Sequence, residues 1–184
     1  MPARIIKKRA RFFVACEGES EQSFITWLHN LSHNTLHIHL DGVSLGGGGF
    51  KSMLQKAVAL HKRKSKNGGA YRDRFLIVDY DRTEQGDWSV EKLKSEAAKE
   101  QFRVCFQVPN HEGLLLRMIN GMESDFPDAS SARTKLKSRW AVYEKGLNAR
   151  ELGRQFSKDD LIRAAKSDSD LRLLLTKIGM FTGA

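Results

Sequence analysis

Short apolar runs alternate with amphipathic stretches along the first two thirds of the chain. The runs typical of buried or half-buried strands lie at 12–16, 36–40, 74–78 and 102–108. Apolar positions at helical spacing predict helices between and after them, at about 20–32, 50–64, 90–100 and 114–119. This alternation predicts an α/β fold with a mainly parallel four-stranded sheet flanked by helices.

The pattern changes near residue 120. Residues 121–132 are rich in Gly, Pro, Ser and Asp and predict a loop, followed by a basic helix over 133–145. Ser157, with Asp160 three residues later, predicts the start of a further helix, and a last one is expected over 168–177. We therefore predict an α/β core over 1–120 and a helical extension over 121–184 that packs on it. A length of 184 residues suits one domain.

Carboxylates follow two of the predicted strands at the point where each ends. Glu17 comes directly after the first apolar run, and Asp79 and Asp81 come after the third. The carboxyl ends of parallel strands meet at one edge of a sheet, and residues i and i+2 face the same side. Such carboxylates would repel one another without a cation, and Mg²⁺ prefers carboxylate, water and phosphate oxygens. Glu112, after the fourth strand, joins this edge either as a further acid or as a helix cap.

Other polar features are expected at the same edge. Glu21 lies in the first helical turn, where a negative charge complements the helix dipole, and we interpret it as a structural carboxylate. The run Gly46–Gly49 either approaches phosphate oxygens through its backbone amides or is a plain connector. Arg82 contacts a scissile phosphate or pairs with a neighbour, and the sequence does not decide between them. His111 is kept as a candidate because it adjoins Glu112.

The chain carries a net charge of +9, and the charge is unevenly distributed. Residues 1–129 have 19 basic and 16 acidic side chains, whereas residues 130–184 have 12 basic and 6 acidic. A basic surface suits a polyanion such as nucleic acid, although it also serves solubility. Candidate phosphate-binding side chains are Lys62, Arg63, Lys64, Lys135, Lys137 and Arg139, each of which also suits a solvated face. Trp140 and Tyr143 are candidates for stacking on a base.

Several function classes are disfavoured by composition. No apolar run approaches the ~20 residues of a membrane span, and no signal-peptide core follows the basic N-terminus. Cys16 and Cys105 are isolated and predicted to be buried, which fits neither a zinc site nor a disulfide framework. We expect a cytoplasmic protein with no membrane partner.

Three motifs resemble those of a known family. Glu17-Gly18 after the first strand and Asp79-Tyr80-Asp81 after the third resemble the Toprim signature of topoisomerases, primases and OLD-type nucleases. The chain is most similar to the RloB-like family of small bacterial defence-associated proteins, over about residues 10–120. The third element of that family corresponds to Pro109–Glu112, followed by an apolar helix. His111 stands where the family has an aromatic residue, and the usual following tryptophan is absent.

This resemblance implies a Mg²⁺- or Mn²⁺-dependent phosphodiester hydrolase, a nuclease acting on DNA or RNA in bacterial or phage defence. Glu17 would be the acid/base or metal-bridging residue, Asp79 and Asp81 metal ligands, and Glu112 a further acid. Two alternatives stay open: a non-catalytic nucleic-acid-binding or adaptor subunit of a defence complex, and an enzyme acting on small phosphorylated molecules. The expected partner is nucleic acid, with a protein of a defence system and a second copy of the chain as further candidates.

Overall fold

The computed structural model describes residues 8–81 and 88–182 of the chain. Four parallel strands form one sheet in the order β2-β1-β3-β4. They are β1 (Ala10–Cys16), β2 (Ile38–Ser44), β3 (Asp73–Asp79) and β4 (Arg103–Gln107). The predicted α/β class, with a parallel sheet, flanking helices and a helical C-terminal extension, is confirmed.

Helices follow every strand. In the core they are α1 (Glu19–Ser32), α2 (Phe50–Gly68), α3 (Val90–Lys99) and α4 (His111–Arg117). In the extension they are α5 (Ala129–Arg139), α6 (Ala149–Gln155), α7 (Lys158–Ser167) and α8 (Ser169–Ile178). In the ranges that the structure describes, no helix is both long enough and apolar enough to cross a bilayer.

The sheet has apolar side chains on both faces, because successive residues of a strand point to opposite sides. Phe13 and Leu76 face the layer formed by α2 and α3. Phe12 and Ile77 face the opposite layer, which contains α1, α4 and the helices of the extension. Since both faces are covered, the strands have nearly continuous apolar sequences, as parallel strands do.

The extension is joined to the core by apolar packing and by one buried ion pair. Its residues Leu136, Phe156 and Leu161 lie in the same apolar cluster as β1. Arg117, at the end of α4, has no exposed surface, and its Nη2 lies 2.5 Å from Oδ2 of Asp168 at the start of α8. Core and extension therefore share one hydrophobic interior.

Several predicted boundaries differ from the structure, each for a local reason. The helix predicted over 133–145 begins at Ala129, because Asp128 accepts a hydrogen bond from the Ser131 amide, and it ends before Trp140, where φ is −135°. The strand predicted over 36–40 begins two residues later, since His37 has a φ of 56°. The first helix begins at Glu19, one residue before its predicted start, with Gly18 as its N-cap.

In the extension, helix α6 was not predicted from the sequence, whereas helix α7 was. The sequence pattern did not indicate α6, although Asn148 and Glu151 form the reciprocal capping box that marks its start. The helix predicted from Ser157 is confirmed, because the Ser157 side chain accepts a hydrogen bond from the Asp160 amide.

Candidate functional site

The ends of β1 and β3 meet as the sequence predicted. Glu17 follows β1 directly, is 5 % exposed, and its Oε2 accepts a hydrogen bond of 3.1 Å from the Asp79 amide. The Glu17 amide in turn donates to the Ile77 carbonyl at 3.0 Å. Two carboxylates that are 62 residues apart in the chain are thereby held side by side at the carboxyl edge of the sheet.

Asp79 is surrounded by negative charge. Its position continues the alternation of Phe75 and Ile77, whose side chains face the layer of α1 and α4. Burial raises the pKa of Asp79 to about 9, and four carboxylates contribute further. In decreasing order of effect they are Glu21, Glu17, Asp81 and Glu112. Its Oδ1 is buried and has no hydrogen-bond partner among the residues described.

Glu21 is a site residue that the sequence analysis undervalued. It is 5 % exposed, and its Oε2 accepts a 2.8 Å hydrogen bond from the Gly18 amide, as expected for a residue in the first turn of α1. However, its charge acts on Asp79 more strongly than that of any other carboxylate. Its Oε1 also lies 3.9 Å from Nδ1 of the buried His111. Burial lowers the pKa of His111, against the opposing charges of Glu21 and Glu112.

Glu112 lies in the first turn of α4 and is 8 % exposed. Its Oε1 accepts a hydrogen bond of 3.2 Å from the hydroxyl of Tyr143, which belongs to the extension. Helix α4 begins directly against the end of β4, because Gly113 has no room for a side chain: a Cβ there would lie 2.9 Å from the Val108 carbonyl oxygen. This close packing brings Glu112 to the same edge as Glu17.

Asp81 lies just beyond β3 and is tied to the loop before α4. Its amide donates to the Pro109 carbonyl at 2.9 Å, and its Oδ2 accepts from Nδ2 of Asn110 at 3.2 Å. Between the two aspartates, Tyr80 is 44 % exposed and packs edge-on against Phe106. Arg82 lies outside the described residues, so its predicted role stays a prediction.

The glycine loop lies against the carboxylates. The Gly47 amide donates to the Glu17 carbonyl at 2.8 Å, and Lys56 donates to the carbonyls of Leu45 and Gly47 at 3.0 and 2.9 Å. Gly46, Gly47 and Gly48 all have positive φ values, which disfavour residues with a side chain. The loop is therefore held in one path beside Glu17.

The predicted phosphate-binding residues of α2 lie away from these carboxylates. The helix begins next to the glycine loop and runs back along the sheet, so Lys62, Arg63 and Lys64 come about 18 Å further along its axis. Lys64 pairs there with Asp41 at 2.7 Å.

The basic residues predicted on α5 are on its surface. Lys135 pairs with Asp125 and Lys137 with Glu144, each at 3.1 Å, and Arg139 is exposed at the end of the helix. The prediction that Trp140 and Tyr143 stack on a base is wrong, because they are only 7 % and 1 % exposed. Both rings pack into the core between the sheet and the extension.

An open pocket of about 410 Å³ lies over the carboxylates. Glu17, Glu21 and Asp79 line one part of it and Gly47 another. Lys145 and Gly146, from the turn between α5 and α6, line it as well. The pocket thus combines acidic side chains of the α/β core with a lysine of the extension.

The donor set fits a hard divalent cation. Oδ1 of Asp79 is buried without a partner among the described residues, and neighbouring acids raise the pKa of this carboxyl. Binding of Mg²⁺ would give this oxygen a partner. Within 8–81 and 88–182, no three His, Cys, Asp or Glu side chains are arranged to hold one ion. Mg²⁺ commonly takes only one or two carboxylates and completes its shell with water and phosphate oxygens. Glu17 and Asp79 are the pair that this arrangement offers.

Comparisons of the chain with protein-family models, with curated proteins and with solved structures found no match.

The site residues that sequence reasoning missed are those whose positions depend on tertiary structure. Tyr143 and Lys145 fall within the predicted basic helix, which gave no indication that they reach the sheet edge. The observed end of α5 at Arg139 puts both in the turn that follows. Glu21 did carry a signal, since the strand-to-helix turn at Gly18 has an acid directly before it, Glu17, and another in the first helical turn after it, Glu21.

Proposed function

We propose that this protein is a divalent-metal-dependent phosphodiester hydrolase acting on nucleic acid. The observation that carries the proposal is the pairing of Glu17 and Asp79 at the sheet edge, where one oxygen of Asp79 is buried in a group of acids and has no partner in the described part of the chain. The motif resemblance to the Toprim-related RloB-like proteins agrees with it and suggests a role in bacterial or phage defence. The net charge of +9 suits a polyanionic substrate.

The proposed roles follow from position. Glu17 and Asp79 would hold Mg²⁺ or Mn²⁺, which supplies electrophilic polarisation of a phosphate and neutralises charge at the leaving oxygen. Asp81, Glu21 and Glu112 surround this pair and keep the site strongly negative. Hydrolysis adds a water oxygen to phosphorus, breaks the bond to the leaving oxygen and moves one proton from water to that oxygen. A carboxylate of the group, Glu17 in this proposal, accepts and returns that proton.

The proposal is tested by measuring metal binding and cleavage on the same samples. Binding of Mn²⁺ is titrated by electron paramagnetic resonance, and 5′-labelled single-stranded and duplex DNA and RNA are incubated with Mg²⁺ or Mn²⁺. We expect the wild-type protein to bind Mn²⁺ and to cleave at least one of these substrates. Glu17→Gln, which keeps an oxygen acceptor for the Asp79 amide, should lose both properties.

A matched control comes from an acid outside the group. Glu100 ends α3 on the far side of the sheet from α1 and α4 and is exposed, so Glu100→Gln should leave metal binding and cleavage unchanged. Wild-type protein that binds no Mn²⁺, or cleavage that survives in Glu17→Gln, would refute the proposal.

A second candidate is a non-catalytic nucleic-acid-binding or adaptor subunit that keeps this scaffold. One observation favours it: the described residues include no ready-made group of three metal ligands. Such a subunit would bind nucleic acid equally well with and without divalent ions and would show no turnover. The metal titration above therefore separates the two candidates.

A further inference from the structure

The turn between α5 and α6 crosses the edge of the sheet where the carboxylates lie. We call residues 140–146 the strap. Tyr143 at its middle is 1 % exposed and donates its hydroxyl proton to Glu112. Glu144, next along, is exposed and faces the other way, toward Lys137 at 3.1 Å. In the strap, Trp140 and Tyr143 are therefore buried, whereas the residues between and after them are exposed.

Lys145 is the next residue, and it lines the pocket together with Glu17, Glu21 and Asp79. It is the only lysine or arginine in the pocket lining, as far as the described residues extend. No ion pair is found for it in the described part of the chain, whereas Lys135 and Lys137 on α5 are both paired. Because the Lys145 ammonium lies beside these carboxylates and forms no ion pair with a described residue, it is available to bind an incoming anion.

We propose that Lys145 contacts a phosphate group of the substrate and that the hydrogen bond from Tyr143 to Glu112 positions the strap for this contact. The inference rests on the proposed function, since it names the group that holds the substrate at the same site. In this proposal Glu17 and Asp79 would hold the metal ion, which would supply positive charge to the phosphate. The ammonium of Lys145 binds a phosphate oxygen directly.

The chemistry of the pocket limits the ligand that can occupy it. A ligand without negative charge gains nothing from Lys145, and an anion without a divalent ion is repelled by the acids. The combination of one lysine with several acids therefore selects a metal-bound phosphate. The pocket is open, which suits a polymer that passes across it, as a nucleic-acid strand does.

The test uses the full-length protein and a fluorescein-labelled 20-nucleotide oligo(dT), with Ca²⁺ in place of Mg²⁺ to limit cleavage. Affinity is measured by fluorescence anisotropy over a series of salt concentrations. Loss of one phosphate contact lowers the slope of log K against log salt by about 0.7 for a single strand. We expect Lys145→Ala to show that loss, with about tenfold weaker binding at moderate salt, and Lys145→Arg to retain the wild-type slope.

The matched control is Lys166→Ala, because Lys166 is an equally exposed lysine of the extension on α7. It should keep the wild-type slope. Mn²⁺ binding separates this inference from the proposed function. Lys145→Ala should bind Mn²⁺ at least as tightly as wild type, because the substitution removes a positively charged side chain next to the metal site. Wild-type protein that binds no Mn²⁺ overturns the proposed function and this inference together. Normal Mn²⁺ binding with an unchanged slope in Lys145→Ala overturns the inference alone.

Discussion

Asp41 and Asp79 are two partly buried aspartates on strands of the same sheet, and their surroundings are opposite. Asp41, toward the middle of β2, accepts hydrogen bonds from Lys64 at 2.7 Å and Tyr71 at 2.5 Å, and it lies 3.5 Å from Arg11. Burial alone would raise the pKa of Asp41, but the hydrogen bonds from Lys64 and Tyr71 outweigh it and lower the pKa. Among the residues that the structure describes, no lysine or arginine pairs with Asp79 in this way, and the pKa of Asp79 is raised to about 9.

The contrast separates a structural carboxylate from a candidate functional one. Each oxygen of Asp41 meets a donor from a neighbouring element, so its charge contributes to folding. Oδ1 of Asp79 meets no donor within 8–81 and 88–182, and the carboxyl lies among like charges, which costs folding free energy. Perturbed groups of the second kind cluster at functional sites. Asp168, which is paired with the buried Arg117, is a structural carboxylate like Asp41.

The largest effect is expected where a compensated charge loses its partner. Arg117→Met leaves the buried Asp168 carboxylate unpaired and should lower the free energy of unfolding by about 3–5 kcal/mol, measured by urea denaturation. Arg172→Met, an exposed arginine on α8, should change it by less than about 0.5 kcal/mol. Adding Asp168→Asn to Arg117→Met removes the unpaired charge but keeps the α8 cap, so it should restore at least about 1 kcal/mol. No recovery in the double variant would contradict the charge argument.

The next effect concerns Asp79 and is of the opposite kind. At pH 7 the Asp79 carboxyl is protonated in the metal-free folded protein but ionised in the unfolded chain, so folding has to take up a proton. The neutral isostere Asp79→Asn avoids this uptake and should raise the free energy of unfolding of the metal-free protein at pH 7 by at least about 1 kcal/mol. Loss of a metal-holding carboxylate should nevertheless reduce cleavage at least about 100-fold. Thermal unfolding with and without Mg²⁺ checks the cause. Mg²⁺ should raise the unfolding temperature of wild type but not of Asp79→Asn, and an equal rise in both would exclude Asp79 as a ligand.

Two contacts of the site show what the sequence can and cannot predict. Glu17 and Asp79 could be placed together because a strand that ends in an acid is a local pattern, and parallel strands bring such ends to one edge. The contact between Tyr143 and Glu112 joins residues 31 apart through a turn that the sequence pattern assigned to a helix. Its position depends on where α5 stops, which is at Trp140, a buried residue with a φ of −135°. Burial of that kind is set by tertiary packing, which periodicity does not encode.

A smaller effect is expected at Asp41, with a defined dependence on pH. Its pKa is lower in the folded protein than the value near 3.9 of an unfolded chain. The stabilisation is thus present above about pH 4 and is lost as the pH falls through the folded pKa. Asp41→Asn should cost about 1–3 kcal/mol at pH 7 and should lack this part of the acid dependence, as measured by denaturation between pH 2 and 7.

Asp73 provides the control for Asp41, since it pairs with Arg103 at 3.1 Å at a more exposed position. Asp73→Asn should change the free energy of unfolding at pH 7 by less than about 1 kcal/mol. If Asp41→Asn and Asp73→Asn lower the free energy of unfolding equally, the network around Asp41 has no special role in folding.

The smallest effect tests whether the extension contributes to the metal site. Tyr143→Phe removes one hydroxyl and keeps the buried ring, so Glu112 loses its hydrogen bond while the packing is retained. Partners of this kind orient the acids around a metal ion, and their loss commonly weakens binding about tenfold or more. We expect Mn²⁺ affinity to fall by about that factor, measured by electron paramagnetic resonance titration. Tyr71→Phe removes the equivalent hydroxyl from Asp41 and should leave Mn²⁺ affinity unchanged. Since both substitutions delete a hydroxyl that donates to an acid, a fall in both would mean that general loosening of the fold, rather than the strap, sets metal affinity.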